Sequence, residues 1–207
     1  RPAAPFTTSS LQQDAARKLG FTSRKTMMLA QQLYEGIELG RHGATGLITY
    51  MRTDSTRISE LAQDEAKSFL LEAFGEAYVP EKPNVYVTGK KAQDAHEAIR
   101  PTSLVHTPES LEKYLNKDQL KLYTLIWQRF AASQMTPAIY DTMAIAIKAG
   151  SRYGLRANGS RLKFAGFTKV YAGADTTKKE KDVLLPELAE GDELDIAKTL
   201  PQQHFTE

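Results

Sequence analysis

Gly46-Leu47-Ile48-Thr49-Tyr50-Met51-Arg52-Thr53-Asp54-Ser55 sets a tyrosine two residues ahead of an arginine, at the end of a short apolar run. The run predicts a strand or extended segment, in which side chains two apart share a face, so Tyr50 and Arg52 project together. A phenol beside a guanidinium suits a protein that links itself to a nucleic-acid backbone. The phenolate attacks phosphorus while a fixed cation holds the non-bridging oxygens. A phenol starts near pKa ~10, so it needs positive surroundings or a base to become a nucleophile. On these residues alone, a tyrosine at a strand end reads more often as packing with its hydroxyl satisfied.

Upstream of this stretch, residues 9–19 predict a helix with a Thr/Ser start, Gly20 just past its end, and Leu11, Ala15 and Leu19 on the inner face. A second helix starts near Ser23, with Met27, Ala30, Tyr34 and Ile37 as its apolar stripe. The pair has the outline of a helix-turn-helix, a shape that packs more often than it binds DNA. Gly40 to Gly46 reads as a flexible loop leading into the Tyr50 segment.

Downstream, Ser59 opens a helix to about Phe74, stopped by Gly75. Residues 76–92 read as an exposed connection, and Asp94 to Arg100 as a helical turn ended by Pro101. Thr107-Pro108 starts a short helix, and a longer one runs from about Asp118 to Gln134. Its Leu122, Ile126, Trp127 and Phe130 form a core face rather than a base-stacking platform. After Thr136-Pro137 the period changes to two, with Met143, Ile145 and Ile147 alternating. Asn158-Gly159 predicts a hairpin turn, Thr176 to Asp182 an exposed charged loop, and Glu193 to Thr199 a last strand. The fold class is therefore α+β, predominantly α, with a helical domain over 1–135 and a β domain over 136–207.

The 207 residues suffice for a sizeable core, and 41% hydrophobic with 25% charged residues are ordinary globular values. With no cysteine, disulfides and thiolate metal sites are excluded. No apolar run reaches membrane-spanning length, so no membrane partner is expected. The net charge of +2 does not announce a nucleic-acid binder. Residues 1–57, however, carry eight Lys/Arg against four acids, a lean toward a phosphate-facing surface. The start Arg1-Pro2-Ala3-Ala4 reads as a cut through a longer protein.

Several longer strings occur in order: Pro5-Phe6-Thr7-Thr8-Ser9-Ser10-Leu11-Gln12-Gln13, Lys25-Thr26-Met27-Met28-Leu29-Ala30-Gln31, Gly46 through Thr56, Ala95-His96-Glu97-Ala98-Ile99-Arg100-Pro101 and Gln134-Met135-Thr136-Pro137. Together they resemble the type IA DNA topoisomerases. The wording Tyr-Met-Arg-Thr-Asp-Ser-Thr favours the bacterial topoisomerase I branch over reverse gyrase and topoisomerase III.

The resemblance implies a helical tyrosine domain with a catabolite-activator-like fold, followed by the returning half of a β-rich arch domain. The unpaired strand edges of a half-arch imply self-association or support from the helical domain. It also implies that Tyr50 is the catalytic nucleophile and Arg52 the phosphate clamp, with Arg52, His96 and Arg100 binding DNA. If residues 94–100 are helical, His96 and Arg100 share a face, while Glu97 points elsewhere and can hold the motif by a salt bridge. Thr53 and Ser55 could donate to phosphate or cap a turn, and Asp54 could orient Arg52 or merely end the strand. Arg24 and Lys25 could meet backbone phosphates or stay solvated.

The family uses Mg2+ held by acidic residues of a toprim domain outside this sequence; none is expected on these residues, and His42, His106 and His204 lack ligand spacing. The expected partners are single-stranded segments of negatively supercoiled DNA and the remaining domains of the same polypeptide, in a bacterial, cytoplasmic, nucleoid-associated setting. The chain alone is expected to be inactive in relaxation. The alternative from another class is a non-catalytic helix-turn-helix DNA-binding module with Tyr50 buried.

Overall fold

The computed structural model describes residues 1–40, 43–86, 96–171, 185–195 and 198. It divides into two compact units, one of residues 1–141 with 162–181 and one of residues 142–161 with 182–207. Helices dominate the first and a strand pair the second, an α+β chain.

In the first unit, α1 (Thr8–Leu19) is capped by Thr7, whose side chain accepts from the Ser10 N–H, and is closed by Gly20 at φ 67°. After a short turn, Thr22 caps α2 (Ser23–Glu35) in the same way through the Lys25 N–H. The buried face of α2 is Thr26, Leu29, Ala30 and Leu33, displaced from the stripe expected from sequence. Met27 is half-buried, Tyr34 is exposed, and Ile37 lies beyond the helix, which Gly36 breaks at φ 127°. The displacement has a physical cause, since α2 packs on both α1 and α5. The expected loop 40–46 is in part a small hairpin: β1 (Ile37–Glu38) pairs antiparallel with β2 (Ala44–Thr45), Ile37 opposite Thr45 and Glu38 opposite Ala44.

Next, α3 (Glu60–Phe74) is capped by Ser59 and followed by a 3-10 turn, Glu76–Tyr78. Pro108 stands in the first turn of the short α4 (Pro108–Leu111), capped by Thr107. The centre of the unit is α5 (Lys117–Ser133), started by a capping box between Asn116 and Gln119. Its Leu122, Ile126, Trp127 and Phe130 are all buried, as expected. The two polar tips on this face are satisfied: Trp127 Nε1 donates to Leu104 O (3.1 Å) and the Tyr123 hydroxyl to His106 O (2.6 Å).

One segment departs from expectation, and a second, exposed as expected, is more firmly tethered than a plain connection. Residues 96–100 are extended, not a helical turn. Phe6 bridges Ile99 and Ile48 bridges Pro101, both antiparallel, so the segment runs between two chain stretches that take up its backbone groups. Residues 94 and 95 of that expected turn lie outside the described residues. The expected connection 76–92 is tied down where it is described. Asn84 donates to Ser133 O and Met135 O, both at 2.9 Å, and the Tyr86 hydroxyl to Ser133 O at 2.7 Å, occupying carbonyls left open at the end of α5.

The chain leaves the first unit along β3 (Ile139–Ala149) and returns along β4 (Tyr153–Phe164), the two pairing as a two-stranded sheet. The turn falls at residues 150–152, with Gly150 at φ 62°. The Asn158-Gly159 hairpin is therefore corrected: both residues sit inside β4, and Asn158 Oδ1 accepts from Arg156 Nε at 3.0 Å. A two-residue Asn-Gly turn needs positive φ at Asn, and no described non-glycine residue has one. The expected last strand is absent from residues 193–195. The rest of it, apart from Lys198, and the expected loop 176–182 lie outside the described residues.

Back in the first unit, Phe167 N–H donates to Thr136 O (2.9 Å). The Tyr171 hydroxyl donates to the buried carboxylate of Asp14 on α1 (2.5 Å), which Arg129 of α5 also meets at 3.4 Å. Asp14 is ion-paired with Arg17 as well, and Arg129 Nε donates to Ala4 O (2.6 Å).

Candidate active site

The Tyr50 segment is held from three sides. Leu47 N–H donates to Leu33 O at the end of α2 (2.8 Å), while Leu47 O accepts from Thr102 N–H (2.9 Å). Thr49 N–H donates to Arg100 O (2.9 Å), and the Thr49 hydroxyl donates to Ala98 O (2.7 Å) and accepts from Arg100 N–H (3.0 Å). Thr8 N–H donates to Thr53 O at 2.9 Å. So fixed, the chain alternates: Tyr50 is 41% exposed, Met51 1%, Arg52 exposed, Thr53 7%, Asp54 exposed and Ser55 1%. Tyr50 and Arg52 share the outward face, as expected of an extended segment.

Tyr50 stands between two rings, the edge of Tyr34 at 5.4 Å and His96 at 5.8 Å between centroids. Beside it runs an open groove of about 530 Å³, lined by Thr8, Ser9 and Gln12 of α1 and by Arg52, Asp54 and His96. Arg52 forms no ion pair with Asp54, which lines the same groove, and has no other carboxylate partner among the described residues. Three other phenols are made poor nucleophiles by their surroundings. Burial pushes Tyr86 up to about 12, burial and the bond to Asp14 do the same for Tyr171, and burial raises Tyr123 as well.

Tyr50, Arg52 and His96 are thus brought together; Arg100 is not. Its guanidinium meets Glu97 Oε2 through Nε (2.9 Å) and Nη2 (2.7 Å), and lies 5.9 Å over the Phe130 ring. Glu97 Oε1 in turn accepts the Ser59 N–H at 2.8 Å. Burial pushes the Glu97 carboxyl up, but the Ser59 bond and the Arg100 charge outweigh it and hold the group below its ordinary value. The pair ties the His96 segment to the start of α3.

The hydroxyls of Thr53 and Ser55 accept from the N–H groups of Ser55 and Arg57, both at 3.1 Å, which makes them turn caps. Lys25 pairs with Asp118 (2.6 Å) and covers the Phe21 ring. Tyr34, Thr8 and Thr49 are the groups that sequence reasoning did not single out. Nothing in sequence spacing relates residue 8 to residue 53 or residue 49 to residue 98.

Tyr50 is not the buried residue that a purely non-catalytic module requires. Among the described residues no group of three or more His, Cys, Asp or Glu side chains is placed to hold a metal ion. No helix among them is long and apolar enough to cross a membrane.

A family model described as DNA topoisomerase matches residues 1–207. Among solved structures, full-length topoisomerase I from Thermotoga maritima is similar to this chain, with 45% sequence identity and a TM-score of 0.77. The match covers 92% of this chain and 29% of that one, so the chain spans under a third of that relative's length.

Proposed function

The chain belongs to the type IA DNA topoisomerase family, and from that premise we propose that Tyr50 is the nucleophile of a transient single-strand DNA break. The observation that carries the reading is the exposed Tyr50 phenol, on one face with Arg52, which has no ion pair among the described residues, and ring-to-ring with His96. Tyr50 gives up its proton and its oxygen attacks a backbone phosphorus. The bond from phosphorus to the 3′ oxygen breaks, and that oxygen leaves as a protonated 3′-hydroxyl. One phosphodiester has replaced another, a 5′-phosphotyrosyl ester, so the hydroxyl can attack back without ATP.

Arg52 clamps the non-bridging oxygens, with a fork geometry that a lysine lacks. His96 contacts the scissile region and orients the Tyr50 ring. Arg100, besides the DNA contact expected of it, has a supporting role: with Glu97 it holds the His96 segment in place. In this reading residues 1–135 are the tyrosine domain, whose α1–α2 pair and β1–β2 hairpin resemble a winged helix-turn-helix, and the β3–β4 strand pair belongs to an arch, while residues 162–171 group with the helical unit.

The substrate is negatively supercoiled DNA, relaxed by strand passage in the bacterial cytoplasm. The chain spans 29% of its relative, and the remainder of such a polypeptide supplies Mg2+ and strand positioning. These 207 residues alone are then expected to leave supercoiled plasmid unrelaxed.

The test is covalent trapping with an end-labelled single-stranded oligonucleotide and Mg2+, with the further segments that its relative carries supplied in trans. A denaturation-resistant adduct that vanishes in Tyr50→Phe is expected. Binding without any adduct would leave only a DNA-binding module. Arg52→Ala is expected to slow adduct formation about 10²-fold or more, the usual effect of removing one group that stabilises transition-state charge.

A further inference from the structure

The string Pro5 to Gln13 has no part in the chemistry above, yet it delivers one hydroxyl to the backbone of the Tyr50 segment. The Thr8 hydroxyl donates to Met51 O at 2.7 Å, lies 3.1 Å from Thr53 O, and accepts the Thr53 N–H at 2.9 Å. The Thr8 N–H donates to Thr53 O at 2.9 Å. Met51 is the buried residue between Tyr50 and Arg52, and the chain bends at Met51 and Arg52.

We propose that Thr8 is a positioning residue for the cleavage reaction: its hydroxyl, at the first turn of α1, fixes the bend that sets Arg52 beside Tyr50. The inference rests on Tyr50 being the nucleophile. Two further observations carry it. Arg52 has no ion-pair partner among the described residues, so what places its side chain relative to Tyr50 is the backbone that carries it, which Thr8 holds at Met51 and Thr53. And Thr8 lines the same groove as Arg52, so the latch lies within the site. On the other side of Tyr50, Thr49 binds the His96 segment by the same chemistry. Tyr50 therefore sits between two threonine hydroxyls, one holding each of its proposed partners. A displacement near 1 Å at such a site costs on the order of 10²-fold in rate.

The experiment compares wild type, Thr8→Ser, Thr8→Val, Thr8→Ala and Tyr50→Phe in the polypeptide that joins this chain to the further segments its relative carries. It measures the trapping rate at saturating oligonucleotide and, separately, the oligonucleotide Kd. Thr8→Val keeps the shape and loses the hydroxyl; it is expected to slow trapping about tenfold or more with Kd nearly unchanged, while Thr8→Ser restores the rate. Equal losses in Thr8→Ser and Thr8→Val, or a loss confined to Kd, would overturn the inference. If neither Thr8→Val nor Thr8→Ala folded, the hydroxyl would be a general strut and the inference would fall. An adduct that persists in Tyr50→Phe, or none in wild type, would instead sink the assignment of Tyr50, and the role of Thr8 with it.

Discussion

Gly46 has no room for a β-carbon: one built there would lie 2.8 Å from the Tyr34 carbonyl oxygen. The close approach lets Leu47 bond back to Leu33 and starts the Tyr50 segment at the end of α2. Gly46→Ala is expected to destabilise the first unit by about 1–3 kcal/mol, as overpacking does, and chemical denaturation would measure it. The smaller the loss, the less the segment depends on that approach. Gly166 is tighter still, at φ 48° with a built β-carbon 2.4 Å from Pro137 O. At this scale the site was half legible. Tyr50 and Arg52 followed from a period of two, because alternation is a local property. Tyr34, Thr8 and Thr49 did not, because their partners are set by tertiary pairing.

Among the elements, helices were read best, since their caps are written in adjacent residues: Thr7, Thr22, Ser59, Thr107 and Asn116 all cap as their types suggest. Asn116→Ala is expected to cost α5 about 1 kcal/mol, seen as a lower melting temperature of the first unit. The β hairpin was misread because Asn158-Gly159 is a turn signal only where the chain reverses, and Gly150 had already reversed it. Its strands leave Ile139, Tyr140, Met143, Tyr153, Leu155 and Leu162 at least 40% exposed. Such apolar exposure on a two-stranded sheet calls for cover. Sedimentation is expected to show concentration-dependent self-association, reduced by Tyr153→Lys with Leu155→Lys; a monomer at all concentrations would refute that.

For the molecule as a whole, two carboxylates set the acid limit. Burial pushes Asp14 up, but Tyr171, Arg17 and Arg129 outweigh it and leave the group below its ordinary 3.8; Glu97 lies below 4.5 for the parallel reasons given above. A folded-state value below the unfolded one stabilises the fold above the ordinary value and is lost as pH falls through the lowered one. Stability is thus expected to decline below about pH 4, and Asp14→Asn or Glu97→Gln to flatten that decline in melting curves taken across pH. The change of period near residue 136 was legible in the sequence, but not that residues 162–181 group with the first unit, since nothing local marks Tyr171 as the partner of Asp14. That grouping has a mechanical meaning. The stretch 142–161 is joined to one body at both of its chain ends, one near the bond from Thr136 to Tyr78 and the other leading to the Tyr171–Asp14 lock. Tension applied through it is shared by two covalent joins, so the helical body resists being peeled open from either one alone.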